Sequence, residues 1–318
     1  MMHSIGTPLF WSSFLVIILF LLSLDLGVFH RHAHAVKIKE ATIWSLFWIL
    51  LSCAFGIWVY RSFGKQYGLE FFTGYLIEYA LSVDNVFVFV IIFNYFAVPA
   101  KLHHRVLFWG ILSALGMRAT FILAGAALIS SFHWVIYIFG AFLIFTGVKI
   151  LRQGDTEVEP EQNPAVRLFR KMVPMTSGYE SGRFFVKQAG KLLATPLALV
   201  LVTVEFTDVV FATDSIPAIF GVTRDPFIVY TSNVCAILGL RSMYFLLSAV
   251  IRRFVFLGTG LGIVLIFIGL KMLVGSFYEI PIGLSLSIVA LILVGSIILS
   301  LIFSKSKTPE PSDRTRNP

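Results

Sequence analysis

Nine runs of apolar residues follow one another along this chain with short polar breaks: 8–29, 41–60, 70–95, 105–127, 132–151, 193–220, 226–251, 254–276 and 282–303. About 20 such residues make one helical crossing of a bilayer. Inside the hydrocarbon layer every backbone N–H and C=O must be satisfied within its own segment. The chain is therefore restricted to an all-α, polytopic bundle of about nine transmembrane helices. Hydrophobic residues fill 58% of its 318 positions and charged ones 13%, which excludes an ordinary soluble domain. The first run is too long, and with Asp25 too polar, for a cleaved signal segment, so it reads as a retained helix.

The polar breaks fix an orientation. Placing the N-terminus outside puts 18 Lys and Arg on the cytoplasmic side and leaves Arg61, Lys65 and Arg224 outside. Basic loops stay in the cytoplasm, so the C-terminus is expected there. The net charge of +8 is explained by these loops, and nucleic acid is not an expected partner; the lipid bilayer is. The long interval Arg152–Lys191, with Gly154, Pro160 and the acidic run Asp155–Glu161, reads as a solvated loop with a short amphipathic helix over Val166–Met172. The tail 304–318 reads as disordered. Cys53 and Cys235 lie in apolar runs and support neither a disulfide framework nor a thiolate metal site.

Acids stand where a bilayer span normally carries none: Glu78 and Asp84 in the third run, and Glu205, Asp208 and Asp214 in the sixth. A charge near the bilayer centre costs about 2.5–3.5 kcal/mol on insertion scales, and such residues face a bundle interior or a polar path. Around them the chain repeats itself. Glu78 precedes Asp84 by six residues, as Asp208 precedes Asp214, and Asn85 and Ser215 follow. G-I-L-S-A-L-G-M-R (110–118) matches A-I-L-G-L-R (236–241), and F-T-G-V-K-I-L (145–151) matches F-I-G-L-K-M-L (267–273). Units 70–152 and 193–276 thus read as two copies of a three-helix unit. An odd number of crossings turns the second copy over, which is the inverted-repeat plan of transporters. Residues 1–61 carry the first two helices, with Asp25 in a degenerate copy of the Asp84 role, and 282–303 is a ninth helix.

At about 3.6 residues per turn, Glu78, Ser82 and Asn85 share a stripe, as do Asp208, Ala212 and Ser215, with Asp84 and Asp214 on the next face. Pro217 breaks the backbone ladder after Asp214. The donors are all oxygen, which suits Mn²⁺, Mg²⁺ or Ca²⁺ better than Zn²⁺ or Cu⁺. Six deep acids (Asp25, Glu78, Asp84, Glu205, Asp208, Asp214) face two deep arginines, Arg118 and Arg241. The surplus calls for protons or a bound cation; the competing reading is a structural ion-pair network. Lys149 and Lys271 sit near span ends and read as snorkelling. Glu70 and the histidines His32 and His34 are candidate capture residues at the two mouths, with a plain interfacial or loop role as the alternative. His103 and His104 take the loop reading. There is no P-loop, H-E-x-x-H or Gly-x-Gly-Asp motif, so the chain is not read as an enzyme, and no permanently bound cofactor is expected.

The segments E-Y-A-L-S-V-D-N-V-F-V-F (78–89), D-V-V-F-A-T-D-S-I-P-A-I-F-G-V-T (208–223), D-P-F-I-V-Y-T-S-N (225–233) and A-I-L-G-L-R-S-M-Y-F (236–245) resemble the signatures of the TerC (tellurite-resistance protein C) family of integral membrane proteins. The likeness runs from the first helix to about Pro281, and departs at Tyr79, Ser82 and Thr213. It is strongest to a bacterial branch linked to Mn²⁺ export and alkaline-pH-controlled expression. The resemblance implies an inner-membrane manganese exporter. It also implies that Asp25, Glu78, Asp84, Asn85, Glu205, Asp208, Asp214 and Ser215 form or flank the ion path, with Arg118 and Arg241 holding the acids. A scaffold or assembly factor, or a tellurite-resistance component without direct transport, is the rival reading.

Overall fold

The computed structural model describes residues 4–24, 38–132, 134–153, 164–176, 178–179, 182–188, 191–248, 256–275, 278 and 280–303; side chains at 84, 87 and 165 lie outside that description. Helices dominate: α1 (Pro8–Leu24), α2 (Ile38–Phe63), α3 (Lys65–Tyr95), α4 (Ala100–Ser131), α5 (Val135–Gln153), α6 (Pro164–Met172), α7 (Pro196–Phe220), α8 (Pro226–Leu238), α9 (Leu240–Ser248), α10 (Leu257–Val274) and α11 (Ile282–Phe303). Seven of them (α2, α3, α4, α5, α7, α10 and α11) are long and apolar enough to cross a membrane, while α1 is apolar but shorter. Their outer faces carry exposed Ile43, Phe145, Leu291 and Ile302, as expected of surfaces that meet lipid rather than water.

The run expected as one span over 226–251 is two helices. α8 ends at Gly239, whose N–H bonds the Ile237 carbonyl, and α9 starts at the next residue. Apolar content runs across the break, so hydropathy gives no sign of it; glycine is the weak point in such a helix. α8 starts cleanly. Pro226 fills its first turn, and Asp225 caps it by accepting from the N–H groups of Phe227 and Ile228. The same carboxylate accepts from Ser4 Oγ at 2.8 Å and Ile5 N at 2.7 Å, so it ties down the chain before α1. Every residue from Phe227 to Leu238 is buried, which makes α8 a central helix packed by α3, α4 and α2.

α5 and α10 form the closest helix pair, and glycine is the reason. A Cβ on Gly147 would come 2.5 Å from the Gly262 carbonyl oxygen, and one on Gly262 would come 3.0 Å from the Gly147 oxygen. One turn pair away, a Cβ on Gly269 would lie 2.6 Å from the Gly140 oxygen, and one on Gly140 would lie 3.0 Å from the Gly269 oxygen. Small residues that let backbones touch are the usual means of packing helices in lipid, where no hydrophobic force drives them together.

The interval between α5 and α7 differs from the solvated loop expected. α6 matches the amphipathic helix, but β1 (Phe185–Gln188) and β2 (Lys191–Ala194) follow as an antiparallel hairpin, with Phe185 opposite Ala194. Four-residue strands are too short to show a period in sequence. The segment is also docked. Tyr179 Oη donates to the Phe96 carbonyl at 2.6 Å, Arg105 lies over the Phe184 ring, and Tyr179 and Phe184 pack on a core of α3, α4, α7 and α9 residues.

Candidate functional site

Arg118, midway along α4, is wholly buried. Its guanidinium donates to Asp208 of α7 through Nε (3.2 Å to Oδ2) and Nη2 (2.9 Å to Oδ1), and through Nη1 to Oε1 of Glu78 on α3. One cation thus joins three helices and faces two carboxylates. The planar fork suits bidentate carboxylate binding. The match is incomplete, however: Glu78 Oε2 is buried and has no hydrogen-bond partner among the described residues. Ser215 of α7 sits beside the Glu78 carboxyl, yet its hydroxyl and that of Ser82, one turn along α3, are likewise buried and unpartnered. A buried acceptor left unpaired costs about 1–3 kcal/mol, and the Ser215 hydroxyl beside it is a donor within reach.

Among the described residues, the other two acids of α7 do not bond this arginine. Glu205 is one turn before Asp208 on α7 and accepts from the Ser113 hydroxyl of α4. Asp214 lies six residues after Asp208, which turns it about 120° round the helix. There it faces α5, accepts from Thr146 Oγ1 at 3.2 Å and feels the Lys149 ammonium. Asn85 is buried on α3, and Arg241 is buried at the start of α9. The backbone of Asp84 belongs to α3, but its side chain lies outside the described residues, as do Asp25, His32 and His34 entirely. The structure therefore brings Glu78, Asp208, Ser215 and Arg118 together and sets Asp214 on a neighbouring face. Among the described residues no three His, Cys, Asp or Glu side chains converge as a metal cluster.

Glu70 is buried against its neighbours. Its oxygens accept from Gln66 Nε2 at 3.0 Å and from Thr223 Oγ1 at 2.5 Å, which binds the start of α3 to the turn before α8. His103 is no loop residue: Phe93 stacks on its ring, and its nitrogens meet Tyr244 Oη at 3.0 Å and the Val98 carbonyl at 2.9 Å. Sequence reasoning passed over Ser113 and Thr146 because a hydroxyl in a span is ordinary. Both lie in the repeat segments compared above, one turn or so from Arg118 and Lys149, and that proximity was the available signal. An apolar cavity of about 340 Å³ between α1, α2 and α8 has no acid among the described residues of its wall.

The arrangement can do two things chemically. Paired with one guanidinium, two ionised carboxylates leave a net negative charge in a buried site, which attracts a proton or a cation. The free oxygens of Glu78, Ser82 and Ser215 offer hard donors to either.

Comparison with known proteins agrees with the membrane architecture. Residues 63–308 match the integral membrane protein TerC family. The chain is 51% identical over 310 residues to the uncharacterized membrane protein STKORF319 of Myxococcus xanthus, covering 98% of this chain and 97% of that one. It is 50% identical over 308 residues to the putative membrane-bound redox modulator Alx of Escherichia coli, covering 94% and 96%, and 49% identical over 308 residues to the protein of that description in Salmonella typhi. No solved structure matches.

Proposed function

The chain belongs to the TerC family of integral membrane proteins, and from that premise we propose that it is a transporter that exports a divalent metal cation, Mn²⁺ in the first instance, with protons moving in exchange. One observation carries this reading: Glu78 is fully buried, with one carboxylate oxygen on Arg118 and the other without a partner among the described residues. A purely structural ion pair would satisfy both oxygens. In this reading Glu78 and Asp208 form a station whose charge Arg118 moderates and whose free oxygen takes a proton or the ion. Asp84 and Asp214 supply ligands from the two halves, Asn85 and Ser215 complete the shell, and Glu205 and Asp25 flank the path. Arg241 is the counterpart of Arg118.

The membrane plan proposed with it has nine crossings, α8 and α9 together making one broken span of the kind transporters place at their binding sites. Residues 70–152 and 193–276 form two inverted units. The α5–α10 seam supports this. The match of 145–151 to 267–273 pairs Gly147 with Gly269 and, at the same offset, Gly140 with Gly262. Each glycine touches the counterpart of the other, as a twofold relation between units requires. The excess of basic residues in the intervals assigned to the cytoplasm supports an N-terminus outside, in the bacterial inner membrane.

Relatives described as redox modulators fit a transporter of a redox-active metal. Among the described residues the two thiols, Cys53 and Cys235, are both free and lie on different helices, so a dithiol mechanism within the chain has no support. The test is flux in proteoliposomes with Mn²⁺, Mg²⁺, Ca²⁺ and Zn²⁺ compared at several pH gradients. Transport of Mn²⁺ that stops with Glu78→Gln supports the reading. Absence of flux for every ion, with cellular activity indifferent to the acids, supports a scaffold role instead.

A further inference from the structure

Three polar side chains follow one another in the buried helix α8: Thr231, Ser232 and Asn233, all with no exposure. The first two satisfy their hydroxyls on their own helix, Thr231 on the Phe227 carbonyl at 2.7 Å and Ser232 on that of Ile228 at 2.7 Å. Asn233 has no such escape. Both Oδ1 and Nδ2 are buried and unpartnered among the described residues. A hydroxyl can rotate to a nearby carbonyl; a planar amide needs partners in two directions at once. Folded proteins bury few such groups without a bonded water or ion to explain them. Leucine, of similar size, would fit an all-buried helix at no such cost.

Its position gives the group a purpose. Ser232 fits the notch left by Gly74 of α3, where a Cβ would come 2.8 Å from Ser232 Oγ. Further along, Gly239 lies against the Tyr79 ring, so α3 and α8 run side by side in the same direction. Gly74 and Glu78 share one face of α3, four residues or about 6 Å apart. Asn233 is the next residue of α8, about 100° round the helix from Ser232, and lies level with the turn of α3 that leads from Gly74 to Glu78. Among the described residues, Glu78 and Asn233 are the carboxylate- and carboxamide-bearing side chains that hold buried, unpartnered oxygens.

We infer that Asn233 is a cation-binding residue: its Oδ1 ligates a hard divalent ion next to Glu78, and its Nδ2 bonds a water that travels in the ion's shell. Oxygen donors of this kind suit ions that keep part of their hydration. The inference rests on the transport reading and adds a residue from α8 to a path otherwise built from α3 and α7.

The experiment uses the full-length protein, in detergent for thermal unfolding with and without Mn²⁺, and in proteoliposomes for flux. Asn233→Leu is expected to raise Tm without metal, to lose the Mn²⁺-induced rise in Tm, and to cut flux at least about tenfold, as loss of a ligand should. Asn233→Asp, which keeps an oxygen, retains the metal-induced rise. Ser232→Ala changes neither readout by more than about twofold, since its hydroxyl bonds only its own helix. If Asn233→Leu does not fold, Asn233→Ser, which shortens the reach to the ion, carries the same expectation for the metal-induced shift. Wild-type Mn²⁺ transport with an unchanged metal shift and flux in the Asn233 variants overturns this inference alone. A wild-type protein that neither carries nor binds any of the ions overturns the transport reading and this inference together.

Discussion

Gly147 and Gly262 hold α5 and α10 at backbone contact: a side-chain carbon on Gly147 would fall 2.5 Å from the Gly262 carbonyl oxygen. Close approach leaves no slack on either helix, because the neighbouring Ile266 and Leu151 side chains already fill the flanks.

Gly147→Val is therefore expected to push the helices apart and to cost about 1–3 kcal/mol, the usual range for overpacking a filled interior. Gly116→Ala is the contrast. It lies inside α4 with nothing within 4 Å of the new carbon, and should stabilise by about 0.5–1 kcal/mol through helix propensity alone. Thermal unfolding of both variants in one detergent checks the pair. A neutral Gly147→Val would show that the seam is loose.

Arg118 is the single described cation bonded to both Glu78 and Asp208. Arg118→Leu strands two buried carboxylates and should cost about 3–5 kcal/mol, the range for breaking a buried ion pair by removing one partner. Adding Glu78→Gln and Asp208→Asn removes the stranded charges. Abundance of the triple variant in the membrane should recover toward wild type while Mn²⁺ efflux stays lost. Recovered efflux would mean that the acids serve only the arginine.

The seven long apolar helices were legible because hydropathy is read directly from runs such as 41–60 and 282–303, and a bilayer leaves the backbone few alternatives. The acids of α3 and α7 stood out by the same contrast. That Glu78 and Asp208 meet on one guanidinium was not legible: spacing gives the face of a helix, not which helix that face meets. That Asp214 sits on another face of its helix than Asp208 followed from spacing, whereas its direction toward α5 and its partner Thr146 did not. Asn233 and Asp225 escaped, and His103 was read as a loop residue, because each is unremarkable in sequence. Their importance comes from burial and from partners distant in the chain, as with Asp225 and Ser4, 221 residues apart.

The docked segment after α6 gives a pH-dependent expectation. Burial raises the Tyr179 phenol above its ordinary value, so the folded form holds its proton and keeps donating to Phe96. The unfolded phenol ionises near about pH 10. The stabilisation is thus fully present below that pH and falls as pH rises through the folded value. Hydrogen exchange of the hairpin amides over Phe185–Ala194 should quicken above about pH 10 in the wild type. Tyr179→Phe should quicken it at all pH values by the loss of one hydrogen bond, about 1 kcal/mol, and remove that component of the pH response. Equal exchange in the two proteins would detach Tyr179 from the hairpin's stability.

Asp214 separates ion handling from architecture, because it is only partly buried and its bonded partner is a neutral hydroxyl, Thr146. Asp214→Asn keeps shape and can still bond Thr146, so insertion and abundance should match wild type, with a stability change within about 1 kcal/mol. A ligand carboxylate, however, is not replaced by an amide without loss of charge, and Mn²⁺ tolerance of cells that depend on this protein should disappear. Thr146→Val is the control: it removes the hydroxyl and leaves the charge, and should weaken tolerance without abolishing it. Intracellular Mn²⁺ measured at matched protein abundance decides the matter. If Asp214→Asn lowers cellular Mn²⁺ as well as the wild type does, the carboxylate on this face takes no part in moving the ion, and the path runs along the Glu78 side of the bundle alone.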